Sequence, residues 1–240
     1  MVKIAVISDI HANLAALQQA LDAIRQLKPD KIVCLGDIVG YGPRPNECVD
    51  LVRENCQVCL MGNHDHAVLG LTDTYYFNQY AREAINWTRR MLTIGNKAYL
   101  ENLQFSHYEG EILYVHSTPE YPEEWHYILS EYEAKKYLER IKQKICFIGH
   151  SHIPVIFSNK RGTISEKEIK VADSDEKYIV NVGSIGQPRD GDHRLCFVFY
   201  DTESRQLRYI RKKYPVQETY DEILANQLPP FLAMRLLVGH

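Results

Sequence analysis

Five short stretches of the 240-residue chain carry side chains that can bind metal or move protons: Ser8-Asp9-Ile10-His11, Gly36-Asp37, Gly62-Asn63-His64-Asp65, His116 and Gly149-His150-Ser151-His152. Each alone has an ordinary explanation, since an Asp beyond a strand is commonly a turn residue or a helix cap and a buried His is commonly just hydrogen-bonded. Together they ask for more. Three carboxylates (Asp9, Asp37, Asp65) and five histidines (His11, His64, His116, His150, His152) gathered in one buried place would be costly without cations to compensate them. The donors are oxygen and imidazole nitrogen with no thiolate, a set that suits Zn, Mn, Fe or a similar divalent ion and disfavours Cu(I) and iron–sulfur clusters. They are too many for one tetrahedral ion. Two ions sharing a bridging carboxylate would accommodate them, and a pair about 3.5–4 Å apart supports in-line displacement at phosphorus.

The elements that must position these side chains are legible as well. Each stretch follows a short apolar run, at residues 4–7, 32–35, 58–61, 112–115 and 145–148, with the length and β-branched content of a strand buried on both faces. Leu14, Leu17, Leu21, Ile24 and Leu27 repeat at helical spacing after an N-cap at Asn13 and stop before Pro29, and a second helix is expected over 45–54. The order β-α-β-α-β implies parallel pairing, and in open α/β sheets ligands bind outside the carboxyl ends of the strands, where the five stretches would converge.

Farther on, 77–91 and 97–102 read as helices, and Ser130 with Glu133 forms a capping box before a helix that should run to about residue 141. Beyond residue 153 the runs 155–157, 178–182, 196–200 and 207–211 predict antiparallel strands in a second sheet. The tail over 216–237 is helical with a break at Pro229-Pro230, and no linker or repeat divides the chain. The expectation is one α/β domain spanning residues 1–240.

With 45% hydrophobic residues the chain has the composition of a globular protein rather than a disordered one. At this length about 70% of the unfolded surface can be buried, so a metal is not needed merely to hold the core together. Lys plus Arg total 28 against 31 for Asp plus Glu, a net charge of -3 that argues against long nucleic acid or an anionic membrane as partner. The first apolar run stops at Asp9, too short for a secretory segment, so the expected compartment is the cytoplasm, with the cysteines reduced. Cys56-Gln57-Val58-Cys59 lacks the second pair a structural zinc would need.

The order Asp-x-His, Gly-Asp, Gly-Asn-His-Asp, His, Gly-His-x-His resembles the signature of the calcineurin-like metallophosphoesterases, present here as Asp9, His11, Asp37, Asn63, His64, His116, His150 and His152. The later Asn181-Val182-Gly183-Ser184-Ile185-Gly186-Gln187-Pro188-Arg189 resembles the small single-domain bacterial and archaeal members. The resemblance implies a four-layer α-β-β-α sandwich of two mixed sheets with a dinuclear metal site at the strand ends. It places Asp9, His11 and His152 on one ion and Asn63, His116 and His150 on the other, with Asp37 bridging. A metal-bridging hydroxide would attack phosphorus in line, while His64, free of metal, would stabilise or protonate the leaving oxygen. Asp65 would either orient His64 or cap the following segment.

Ser/Thr protein phosphatases of the same superfamily carry Gly-Asp-x-x-Asp-Arg-Gly, whereas this chain reads Gly36-Asp37-Ile38-Val39-Gly40-Tyr41-Gly42-Pro43-Arg44. Arg189 and Arg44 become the candidates to hold a phosphate, and Tyr41 could offer its ring to a base or planar leaving group. The expected activity is hydrolysis of a small phosphate ester (a phosphodiester, nucleotide or dinucleoside polyphosphate) dependent on two divalent ions, Mn, Fe or Zn. The alternatives are a phosphomonoesterase or protein phosphatase, or a non-catalytic metal-binding scaffold of the same fold. A scaffold would not need the intact donor set together with His64.

Overall fold

A computed structural model describes residues 2–172 and 174–240. In chain order the elements are β1 (Lys3–Ile7), α1 (Leu14–Leu27), β2 (Lys31–Cys34), α2 (Pro45–Asn55), β3 (Val58–Cys59), α3 (Asn63–Val68), α4 (Gln79–Met91) and α5 (Ile94–Glu101). There follow β4 (Ser106–Glu109), β5 (Ile112–Val115), α6 (Glu131–Leu138), β6 (Ile145–Ile148), β7 (Val155–Ser158), β8 (Gly162–Ile164), β9 (Glu168–Lys170) and β10 (Tyr178–Asn181). The chain continues with β11 (Leu195–Asp201), β12 (Gln206–Lys212), α7 (Val216–Ala225) and α8 (Pro230–Val238).

The strands form two mixed sheets, ordered β3-β2-β1-β11-β12-β9 and β4-β5-β6-β10-β7-β8. Why these runs lie between layers follows from the two-residue period of a strand. In β1, Ile4 and Val6 face the other sheet while Ala5 and Ile7 face the helices. In β6, Ile145 and Phe147 join that same inter-sheet core while Cys146 and Ile148 pack with Ala134 and Leu138 of α6. Every second residue thus feeds a different core, which gives four layers: helices, sheet, sheet, helices. Full burial of each such aliphatic side chain contributes about 1.5–3 kcal/mol. None of the described helices is long and apolar enough to cross a membrane.

Asn13 caps α1 as expected, its Oδ1 accepting from the Ala16 N–H at 3.1 Å, and the Ser130–Glu133 box caps α6. Three expectations are corrected. The runs at 196–200 and 207–211 do not join a second sheet with 155–157 and 178–182; β11 pairs antiparallel with β1, Lys3 opposite Asp201, and β12 follows it. A strand buried on both faces advertises its burial but not its neighbour, and β11 occupies the edge of β1 that the parallel β2 leaves free. The strand expected over 58–61 is paired with β2 only at Val58–Cys59 before Leu60 makes a single bridge to Gln104. The helix predicted to reach about residue 141 ends at Leu138.

Candidate metal centre and active-site cleft

All five chemical stretches meet where the carboxyl ends of β1, β2, β5 and β6 and the start of α3 come together. Asp9, His11, Asp37 and His152 form one group of donor atoms, and Asp37, His116 and His150 form another, with the atoms of each group within 4.8 Å of one another. Asp37 belongs to both. Asn63, the first residue of α3, brings its Oδ1 to 3.2 Å from His116 Nε2, beside the second group. All seven side chains are buried, Asp9 and His116 completely so.

The backbone at these positions is unusual. Asp9, His11, Asp37, His150 and His152 all hold positive φ angles, between 50° and 66°. A non-glycine residue in that left-handed region costs about 1–2 kcal/mol. Five such residues at five donor positions mean that the fold accepts strain to aim these side chains inward. Close approach of the chains is secured at Gly62, where a β-carbon would stand 2.1 Å from Asp37 Oδ1.

Hydrogen bonds set the tautomers of the rings. His11 Nδ1 donates to the Val39 carbonyl at 3.2 Å and His152 Nδ1 to the Gln187 carbonyl at 2.6 Å, because a carbonyl can only accept. Both Nε2 atoms therefore present lone pairs, and they face each other at 3.1 Å. His152 Nε2 is also 3.3 Å from Asp9 Oδ1, a buried oxygen with no hydrogen-bond partner among the described residues, and His11 Nε2 is 3.6 Å from Asp37 Oδ2. Lone pairs aimed at lone pairs repel unless a cation lies among them. The donor set thus fits divalent metal, with the carbonyl acceptors orienting the rings from behind. In the second group His150 Nε2 donates to the Trp125 carbonyl at 2.9 Å, which leaves Nδ1 as its ligand atom, and His116 Nε2 lies 3.4 Å from Asp37 Oδ2.

Electrostatics agree for three of the four ligand rings. Burial disfavours the imidazolium and lowers His11, His152 and His150, the last to about 3, so these rings are neutral as ligation requires. Burial also penalises the Asp37 carboxylate, but His116, which Asp37 raises to about 9 against the effect of burial, outweighs it and holds Asp37 well below the usual carboxylate range.

His64 lies against the centre without joining either group. Its backbone N–H donates to Asp37 Oδ1 at 2.8 Å, and its ring packs edge-on against His11, with centroids 4.8 Å apart. Gly40, at φ +90, leaves room for it: a β-carbon there would meet His64 Nδ1 at 2.4 Å. Asp65 settles as a cap. Its carboxylate accepts from the N–H groups of Gly62, Ile38 and Val39 at 3.0–3.1 Å, tying the start of α3 to the loop after β2.

A cleft of about 480 Å³ opens over this floor, walled by Tyr41, His64, Phe77, Trp125, Tyr127, His150, Arg189 and Arg235 among others. Arg189 lies on it, held by Gln187 Oε1 through Nε and Nη2 at 3.2 and 2.7 Å. Tyr41 lines it too, but is only 7% exposed, its ring packed on His11 and His64 at 4.7 and 4.4 Å. Arg44 is elsewhere: it grips Glu222 through Nε and Nη2 at 3.0 and 2.6 Å and also meets Glu47, so it is not a phosphate contact. A paired guanidinium at a helix start looks like a free one in sequence.

Sequence reasoning missed Trp125, Tyr127 and Arg235. Tyr127 stacks on His150 with centroids 3.9 Å apart and planes at 12°. The aromatic-rich segment Tyr121-Pro122-Glu123-Glu124-Trp125-His126-Tyr127 after His116 was the available signal. Arg235 gave none, being one cation on an amphipathic helix.

Two mixed sheets between helices, with Asp and His donors at the strand ends, define a metallophosphoesterase. Consistent with this, the family model of the calcineurin-like phosphoesterase superfamily domain matches residues 2–205, and the chain belongs to that superfamily. An uncharacterized protein of Methanocaldococcus jannaschii is 40% identical over 243 residues, covering 98% of each chain. The crystal structure of a metallophosphoesterase from Sphaerobacter thermophilus aligns with a TM-score of 0.89 at 34% identity over 99% of both chains. A hypothetical protein from Pyrococcus horikoshii shares the fold, with a TM-score of 0.82 at 20% identity over 100% of this chain and 99% of that one.

Proposed function

We propose that the protein, acting as one domain over residues 1–240, is a phosphoesterase that uses two divalent ions to hydrolyse small phosphate esters. The observation that carries this reading is that one carboxylate, Asp37, is common to both donor groups. Asp9, His11, Asp37 and His152 would hold one ion, and Asp37, Asn63, His116 and His150 the other. When bound, Mn, Fe or Zn ions in such a pair supply an activated water and neutralise charge on the phosphate oxygens.

The chain's own residues do the rest. Carbonyl acceptors behind His11, His152 and His150 hold the rings in their ligating tautomers. His64, fixed through its own backbone to Asp37 and lining the cleft, stabilises or protonates the leaving oxygen. Arg189 holds a non-bridging phosphate oxygen by charge-assisted hydrogen bonds. The aromatic walls around the cleft, Phe77, Trp125 and Tyr127, suit an organic group on the phosphate better than inorganic phosphate alone. A cleft of about 480 Å³ supports a nucleotide-sized ester as substrate.

The test is a screen of metal-reconstituted protein against a phosphomonoester, its matching diester and dinucleoside polyphosphates. Metal-dependent turnover that favours the diester or the polyphosphate supports the reading. Absence of turnover on every ester, with metal bound, would overturn it.

A further inference from the structure

Several arginines outside the cleft are neutralised. Arg44 pairs with Glu222, Arg161 with Glu176, Arg194 with Asp192 and Arg211 with Asp190. Arg189 and Arg235 are different. Both line the cleft, and their guanidinium carbons lie 5.7 and 6.0 Å from the centre of one ring, that of Tyr41. Among the described residues neither is ion-paired to an Asp or Glu side chain; Arg189 donates to the Gln187 amide oxygen and Arg235, through Nε, to the main-chain oxygen of His240. Five N–H donors on each fork exceed what these acceptors use.

The two cations come from distant parts of the chain. Arg189 sits in the loop after β10, directly behind His152 through Gln187, whereas Arg235 is on α8 with its guanidinium carbon 5.4 Å from the Phe231 ring centre. Arg189 is thus tied to the metal ligand His152, while Arg235 reaches the cleft from α8. Burial and the neighbouring Arg189 lower Arg235 to about 10, as expected for a half-buried cation near a like charge. Two half-buried cations beside one aromatic ring favour an anion that meets them both.

Resting on the phosphoesterase reading, we propose that Arg189 and Arg235 form a second anion subsite beside the metal centre, which takes a further phosphate group next to the one cleaved. The preferred substrate class is then an ester with at least two linked phosphates. Tyr41 serves as the platform that spaces the two guanidiniums, which accounts for its burial between them and the histidines.

The probes are two adenosines joined 5′ to 5′ by one, two or three phosphates, so that only the phosphate count changes. Calorimetric binding and turnover are measured on the metal-loaded parent, Arg235→Gln, Arg235→Lys and Arg189→Gln. The expected result is that affinity and kcat/KM of the parent rise about tenfold or more from one phosphate to two. Arg235→Gln should abolish that step, while Arg235→Lys, which keeps a charge, should retain part of it. A parent that binds all three alike, or an Arg235→Gln protein that keeps the full step, overturns the subsite. Binding with the expected step but no turnover of any probe supports the subsite while counting against the phosphoesterase reading.

Discussion

The backbone N–H of His64 donates to Oδ1 of Asp37 at 2.8 Å, while Oδ2 of the same carboxylate faces His11 and His116 at 3.6 and 3.4 Å. One oxygen of Asp37 thus belongs to the chain that carries His64 and the other to the donor groups. Any change in the seating of Asp37 is transmitted to His64 through a single hydrogen bond, and the predictions below separate the two roles.

Metal analysis at saturation should find two ions per chain, and Asp37→Asn should leave one or fewer, since a neutral carboxamide lacks the charge of the carboxylate whose Oδ2 faces both donor groups. Elemental analysis after dialysis checks this. A parent protein with a single ion at saturation contradicts the shared role of Asp37.

His64→Ala should retain both ions but lose about 10²-fold or more in kcat, because His64 lines the cleft without belonging to a donor group. Metal content measured beside kcat on a good-leaving-group and a poor-leaving-group ester distinguishes the cases. Equal rates for variant and parent on both esters would rule out the role assigned to His64.

Gly40→Ala places a β-carbon 2.4 Å from His64 Nδ1 at a φ of +90. The residue must then strain its backbone or push the ring away, at a cost of about 1–2 kcal/mol. Urea denaturation should show that loss, and turnover should fall while metal content stays at the parent level.

Tyr127→Ala removes the ring stacked 3.9 Å from His150. Metal affinity at the second group should weaken about tenfold, in the range seen when partners behind a ligand are lost. Competition with a chelator of known affinity reads the change, which should be confined to one of the two ions.

Removing the ions should destabilise the fold, because Asp9 Oδ1 stays buried without a partner and the Nε2 lone pairs of His11 and His152 stay opposed. A ligand at a hundredfold excess over its Kd contributes about 2.7 kcal/mol. For a chain of this size that corresponds to about 5–10 °C in Tm. Thermal scans with and without a chelator measure it, and identical midpoints would mean that the ions do not bind the folded state.

Much of this protein is local chemistry and could be read without coordinates. The runs ending at Ile7, Leu35, Val115 and Ile148, the cap at Asn13 and the box at Ser130–Glu133 are written in periodicity and residue type, because strand burial and helix capping depend on neighbours within a few positions. The donors were legible for the same reason: metal ligation demands particular side chains, and they stand at the ends of recognisable strands. What needed the tertiary structure were relationships between residues far apart in the chain. That β11 pairs with β1 rests on which hydrogen-bonding edge was open, a property of the assembled sheet. That Arg44 is spent on Glu222 while Arg189 and Arg235 meet over Tyr41 rests on where α7 and α8 dock. An arginine has the same composition whether or not a carboxylate 178 positions away comes to lie beside it, and only the packing of the helices decides which of its charges stays free.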